Sequence, residues 1–158
     1  MAVIPIYRTA ILPEWIDYNG HLRDAYYALI LSLASDALMD RLGMDAGYRA
    51  ASGNTLYTVE MHIHYLREIH QSETVLVGVR LLAVDHKRIH AAFEISCDGK
   101  QGVAATAEFM LLHVHQAATV SVTPFEPAVA AAIASLMTPV TDTPWPGPGS
   151  RRMQLRAR

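Results

Sequence analysis

The sequence predicts an α+β domain in which an antiparallel sheet of about five strands curls around one long buried helix, with a second helix near the C-terminus. Three observations carry this. Residues Ala25 to Ala34 include one polar residue, Ser32, too few for a helix with a wet face. From Thr55 onward the hydrophobic period changes from helical to two. The resulting order, one strand, one helix and then four strands, leaves the helix in need of a surface to wrap it, and a strongly twisted sheet supplies that surface most economically.

A short strand is expected near Ile6 to Ile11. The helix is expected to run from an N-cap at Asp24 through Arg41 in its last turn to Gly43 at C′, about 19 residues or roughly 28 Å. Tyr57, Val59, Met61, Ile63 and Tyr65 then alternate with Thr58, Glu60, His62 and His64, which places the first set on the core. Val75, Val77, Val79 and Leu81 repeat the pattern, as do Ile89, Ala91, Phe93, Ile95 and Cys97. Asp98-Gly99 favours a tight hairpin into Val103, Ala105, Ala107, Phe109 and Leu111. The Ala-rich stretch from Phe125 to Met137 is expected to form an outer helix. The domain is bounded at 1–138, and 139–158 reads as a Pro/Gly-rich and then basic tail, with Pro144, Pro146, Gly147 and Arg151 among its residues. One sheet cannot cover both itself and the helix, so a homodimer or a tetramer of dimers is expected.

Composition narrows the function. The 158 residues fit one domain, and a net charge of −2 offers no broad basic surface for nucleic acid. The single Cys97 fits a reducing compartment. The N-terminus lacks the features of a signal peptide, and no apolar run approaches the ~18 residues of a membrane span, so a cytoplasmic protein without a membrane partner is expected. The absence of a Gly-rich phosphate loop argues against a nucleotide cofactor.

The chemistry concentrates in Asp17-Tyr18-Asn19-Gly20-His21-Leu22-Arg23-Asp24-Ala25-Tyr26-Tyr27, where an acid, an amide and an imidazole precede a helix start. Helix N-termini carry unpaired N–H groups and the positive end of the dipole, which favour developing negative charge. Asp17 is the candidate acid, base or nucleophile, with its pKa raised by burial and moderated by a nearby donor. Asn19 and His21 are placed to orient water and hold the carboxylate, and the Asp24 backbone N–H to polarise a carbonyl. The competing reading is an Asx-type turn before a helix.

Rings crowd the same region. Trp15, Tyr18, Tyr26 and Tyr27 flank the acid, and Tyr57 and Tyr65 lie on the next strand, so a quaternary ammonium could be held by cation–π attraction. Tyr57 and Tyr65 share core parity and read equally as packing residues, which leaves Trp15 and Tyr18 as the freer pair. Glu60 is either a second carboxylate reaching the site or a polar residue on the outer sheet face. His62-x-His64 and His113-x-His115 have the spacing of metal ligands on a strand, but a buried helix is foreign to a cupin-like barrel, and no metal is expected. Arg67, Lys87 and Arg88 are candidate phosphate contacts, or else solvated turn charges.

The element order and the Asp17-x-Asn19-x-His21 pattern followed by Tyr26 and Tyr27 resemble the hotdog-fold acyl-CoA and acyl-carrier-protein thioesterases of the 4-hydroxybenzoyl-CoA thioesterase-like superfamily, from about Tyr7 to His115. More narrowly, the segments from Trp15 to Asp24, Tyr65 to Glu68 and Asp85 to His90 are similar to the betainyl-CoA thioesterases of bacterial carnitine breakdown. Arg23-Asp24 stands where many relatives carry Asn-Asn. The resemblance implies hydrolysis of a short acyl-CoA, without a cofactor, by a homo-oligomer. Trp15, Tyr18, Tyr26, Tyr27, Glu60 and Tyr65 would contact the acyl group, and Arg67, Lys87 and Arg88 the coenzyme A. The alternatives are a general short-chain or aromatic acyl-CoA thioesterase and a noncatalytic acyl-CoA binding module. A carboxylate at position 17 speaks against a pure binder of an anionic ligand.

Overall fold

In the computed structural model, which describes residues 3–137, the chain runs β1 (Ile4–Ala10), a 3-10 turn (Pro13–Trp15), α1 (Asp24–Arg41), α2 (Ala46–Ser52) and β2 (Asn54–Tyr65). It continues through β3 (Thr74–Val84), β4 (Arg88–Cys97), β5 (Val103–His115), a two-residue β6 (Ser121–Val122) and α3 (Pro127–Leu136). The expected tail at 139–158 lies outside the described residues. The sheet is antiparallel in the order β1-β3-β4-β5-β2, with β6 added to β5. Chain order therefore takes α1 from one edge strand, β1, to the opposite edge strand, β2.

The helix starts one residue earlier than the N-cap assignment implied, at Asp24 itself. Arg23 occupies the cap position without a side-chain bond, and the Asp24 carboxylate instead accepts the Ala25 N–H at 2.9 Å. Its end follows the Schellman pattern: Met44 N–H donates to the Met39 carbonyl and Gly43 N–H to that of Asp40. Gly43 takes φ +80°, a conformation that a side chain would strain.

The helix is not buried on every side. Tyr27, Ile30, Leu31, Ala34, Ser35, Leu38 and Met39 form its buried stripe, while Ala25, Ser32 and Asp36 are exposed and Leu29 is 40% exposed. Leu29 is apolar without being covered, so composition alone overstated the burial. The stripe meets the inward residues of the central strands, with Phe93 and Phe109 tilted against each other at 4.9 Å between ring centres. The short α2, capped by the Asp45 carboxylate on Tyr48 N–H, was not expected; none of its residues is buried, so it left no hydrophobic period to detect.

The largest departure from expectation lies in β2. A bulge between Thr58 and Glu60 adds one residue against β5, so the inward set changes phase. Thr58 opposes Leu111 and Met61 opposes Phe109, both on the core side, whereas Tyr57 opposes Leu112 on the outer face. Tyr57, Val59, Met61 and Tyr65 are all substantially exposed. This edge strand is 12 residues long and carries apolar side chains that, among the described residues, no element covers.

Phe93 is fully buried at the centre of the sheet, so Phe93→Ala is expected to cost about 3–5 kcal/mol, read as a lowered urea midpoint with an unchanged slope.

Candidate active site

The loop between β1 and α1 is a tight turn closed by its own backbone. Asp17 N–H donates to the His21 carbonyl at 2.9 Å, Gly20 N–H to the Asp17 carbonyl at 3.1 Å, and Ile16 bridges Leu22. Gly20 takes φ +81°, which explains a glycine after Asn19. The Asp17 carboxylate completes the turn by accepting Asn19 N–H at 2.8 Å and His21 N–H at 3.2 Å, both on Oδ1. The Asx-turn reading is therefore correct as local geometry, and it also fixes the carboxylate.

A second set of contacts docks this turn onto the segment after β2. Leu22 N–H donates to the Ile69 carbonyl at 2.7 Å, and His21 bridges His70. Between the two segments and the first turn of α1 lies a cleft of about 550 Å³, lined by Asp17, Tyr18, His21 and Leu22, by Arg23, Asp24 and Tyr27, and by Tyr65, Leu66, Arg67 and Glu68.

Asp17 is not buried as expected. Its pKa is lowered, first by the His21 amide bond, which with the Asn19 amide and the nearby Arg23 charge outweighs partial desolvation. The carboxylate is ionised at neutral pH. The phenols behave oppositely: burial pushes Tyr27 up to about 12, and burial followed by the Asp24 charge raises Tyr65. Their rings meet edge to face at 5.0 Å and 86°. Tyr27 OH donates to the Arg67 carbonyl and Tyr65 OH to the Asp24 carbonyl, each at 3.4 Å. Asp24 N–H, the first of the helix, makes none of the backbone bonds found among the described residues.

Other candidates lie elsewhere. Trp15 is buried and stacks on Tyr26 at 5.5 Å, so both rings pack the helix start rather than line the cleft. Asn19 contributes its backbone N–H, and its side chain does not line the cleft. Glu60 sits on the outer sheet face beside His62 Nε2 at 3.0 Å, the face its alternation with Met61 and Ile63 assigned it, and it does not line the cleft. Lys87 and Arg88 lie in the β3–β4 turn, where Arg88 forks onto Asp85, and that turn is at the end of the sheet opposite Arg67. Four cleft residues, Leu22, Arg23, Leu66 and Glu68, were given no role from sequence. The signal for Glu68 is the Leu22–Ile69 contact, which no local pattern encodes.

A curled antiparallel sheet with one long helix against it and a cleft at the helix start is the architecture of the hotdog-fold thioesterases. Residues 11–133 match the thioesterase-like superfamily, and the chain belongs to that family. It is 44% identical over 134 residues to the betainyl-CoA thioesterase of Pseudomonas aeruginosa, covering 85% of this chain and 84% of that one. It is also 45% identical over 100 residues to the L-carnitine dehydrogenase/betainyl-CoA thioesterase of Agrobacterium fabrum, covering 63% of this chain and 20% of that longer protein. Among solved structures, one assigned as a thioesterase from Pseudomonas putida KT2440 superposes with a TM-score of 0.84 at 37% identity, over 99% of each chain. A Staphylococcus aureus protein solved with CoA shares the fold at a TM-score of 0.85 and 24% identity, over 99% of this chain and 98% of that one.

A carboxyl carbon label on Asp17 is expected to titrate below 3.8 by NMR, whereas the Tyr27 phenolate absorption should appear only near pH 12.

Proposed function

We propose that this chain hydrolyses betainyl-CoA to glycine betaine and coenzyme A. The observation that carries the reading is the cleft itself, which places the ionised Asp17 beside two un-ionised phenol rings and holds three carboxylates, Asp17, Asp24 and Glu68, against two guanidinium groups, Arg23 and Arg67. A trimethylammonium group is attracted by ring faces and by net negative charge, and a neutral acyl group gains neither. The similarity to the Pseudomonas aeruginosa betainyl-CoA thioesterase supports the same acyl group.

In this reading the thioester carbonyl faces the Asp24 N–H, whose bond strengthens as the oxygen becomes negative. Asp17 delivers the nucleophile, either as water that it deprotonates or as its own oxygen, and the His21 ring on the same wall holds the water. The tetrahedral intermediate collapses by breaking the C–S bond, and the coenzyme A thiolate takes a proton from solvent; where Asp17 itself attacks, the acyl anhydride left on it is then hydrolysed by water, which frees the acid and the carboxylate. Tyr18, Tyr27 and Tyr65 receive the ammonium group, and Arg67 takes a coenzyme phosphate. The free Cys97 and the absence, among the described residues, of a helix long and apolar enough to cross a membrane support a cytoplasmic setting.

The open edge of β2 supports a homodimer. Two-fold pairing of β2 with its own copy is antiparallel, which brings the β3–β4 turn of the second copy to the same end as Arg67. Lys87 and Arg88 then return as phosphate contacts, from across the interface.

Asp17→Asn is expected to lower kcat by ~10²-fold or more with little change in stability, and wild-type turnover in that variant would refute the role. Because the ionised form is required and its pKa is lowered, kcat/KM should hold as the pH falls to about 4 and drop only below 3.8. Tyr65→Leu should cost betainyl-CoA about fivefold in kcat/KM, near 1 kcal/mol, and a neutral tert-butyl analogue far less; equal losses would reassign Tyr65 to packing. Met61→Lys on the open edge strand should shift sedimentation from dimer to monomer and lose activity with it.

A further inference from the structure

One corner of the cleft holds a donor set of which the proposed hydrolysis uses only His21. The backbone bridge between His21 and His70 sets two segments distant in sequence side by side, and their rings meet at 4.9 Å and 70°. Glu68 adds a carboxylate oxygen 3.4 Å from His21 Nε2. One ligand atom from each of the three lies within 4.8 Å of the other two, and no other three metal-ligating side chains come this close among the described residues.

Two imidazoles and one carboxylate form the donor set of mononuclear transition-metal sites that keep open positions for water or substrate. Zinc sits about 2.0–2.2 Å from such donors, so tetrahedral ligand atoms lie roughly 3.4 Å apart. The His21–Glu68 pair already has that spacing, and His70 is exposed enough to turn its ring inward. His70 is also held from behind. Its N–H donates to a Glu73 carboxylate oxygen at 2.7 Å, and Glu73 is ion-paired with Lys100.

We propose that His21, Glu68 and His70 bind one divalent transition-metal ion, zinc by preference, at the mouth of the cleft, and that the bound ion inhibits the enzyme. The inhibition rests on the function proposed above: the ion occupies the His21 ring nitrogen and adds two positive charges where a cationic acyl group must enter. The binding itself does not depend on that reading.

The test uses cobalt(II) as a spectroscopic probe on the full-length, chelator-treated protein. A visible d–d band saturating at one equivalent per chain, displaced by zinc, is expected. His70→Gln should weaken cobalt binding about tenfold or more while leaving metal-free turnover unchanged, since His70 takes no part in the reaction. Zinc should inhibit the wild type and spare His70→Gln. The absence of a saturable band, or an equal band in the variant, would overturn the site. Equal zinc inhibition of both proteins would overturn its inhibitory role. The cobalt spectrum needs no turnover, so an enzyme that binds cobalt but fails to hydrolyse betainyl-CoA would refute the functional reading alone.

Discussion

The hydrogen bond from Leu22 N–H to the Ile69 carbonyl, 2.7 Å long, is the contact on which the site depends. Its two side chains are 4% and 0% exposed, so burial worth roughly 1.5–3 kcal/mol for each anchors the turn where the backbone bond directs it. Without that anchor, Asp17 and His21 would ride on a loop facing solvent, and the strand end carrying Tyr65, Arg67 and Glu68 would have no opposite wall. The reactive groups thus sit on a small turn whose position is decided by two aliphatic residues that take no part in chemistry.

The electrostatics follow from that placement. The carboxylate is kept ionised by amides of its own turn, so its charge state needs neither a buried cation nor a metal. The phenols, set deeper, stay neutral and present uncharged ring faces. The first helix amide lines the same space with no backbone partner among the described residues. In the proposed reaction the carboxylate, the Tyr65 ring and the donor amide come from three different elements, a turn, a strand end and a helix start.

What could be read from the sequence was what is local. Asp17, Asn19 and His21 fall within five residues, and the period-two runs of β3, β4 and β5 place Val77, Phe93 and Phe109 inward as parity requires. Parity failed in the first half of β2 because a single inserted residue near Val59 shifts the phase and turns Tyr57 outward, while Met61, Ile63 and the outward Glu60 keep the faces that alternation assigned them. Trp15 was misread for a different reason: its proximity to Asp17 in sequence says nothing about direction, and its ring turns into the core onto Tyr26. Glu68 and His70 could not be joined to His21 at all, since only the folded bridge brings them together.

The two tyrosine hydroxyls are anchored reciprocally. Tyr27, on the helix, bonds the strand-end carbonyl of Arg67, while Tyr65, on the strand, bonds the helix-start carbonyl of Asp24. The struts cross, as in a braced frame, so helix and strand cannot part without stretching both. The two rings, already touching edge to face, therefore act as one braced wall of the cleft rather than as the two leaves of a hinge.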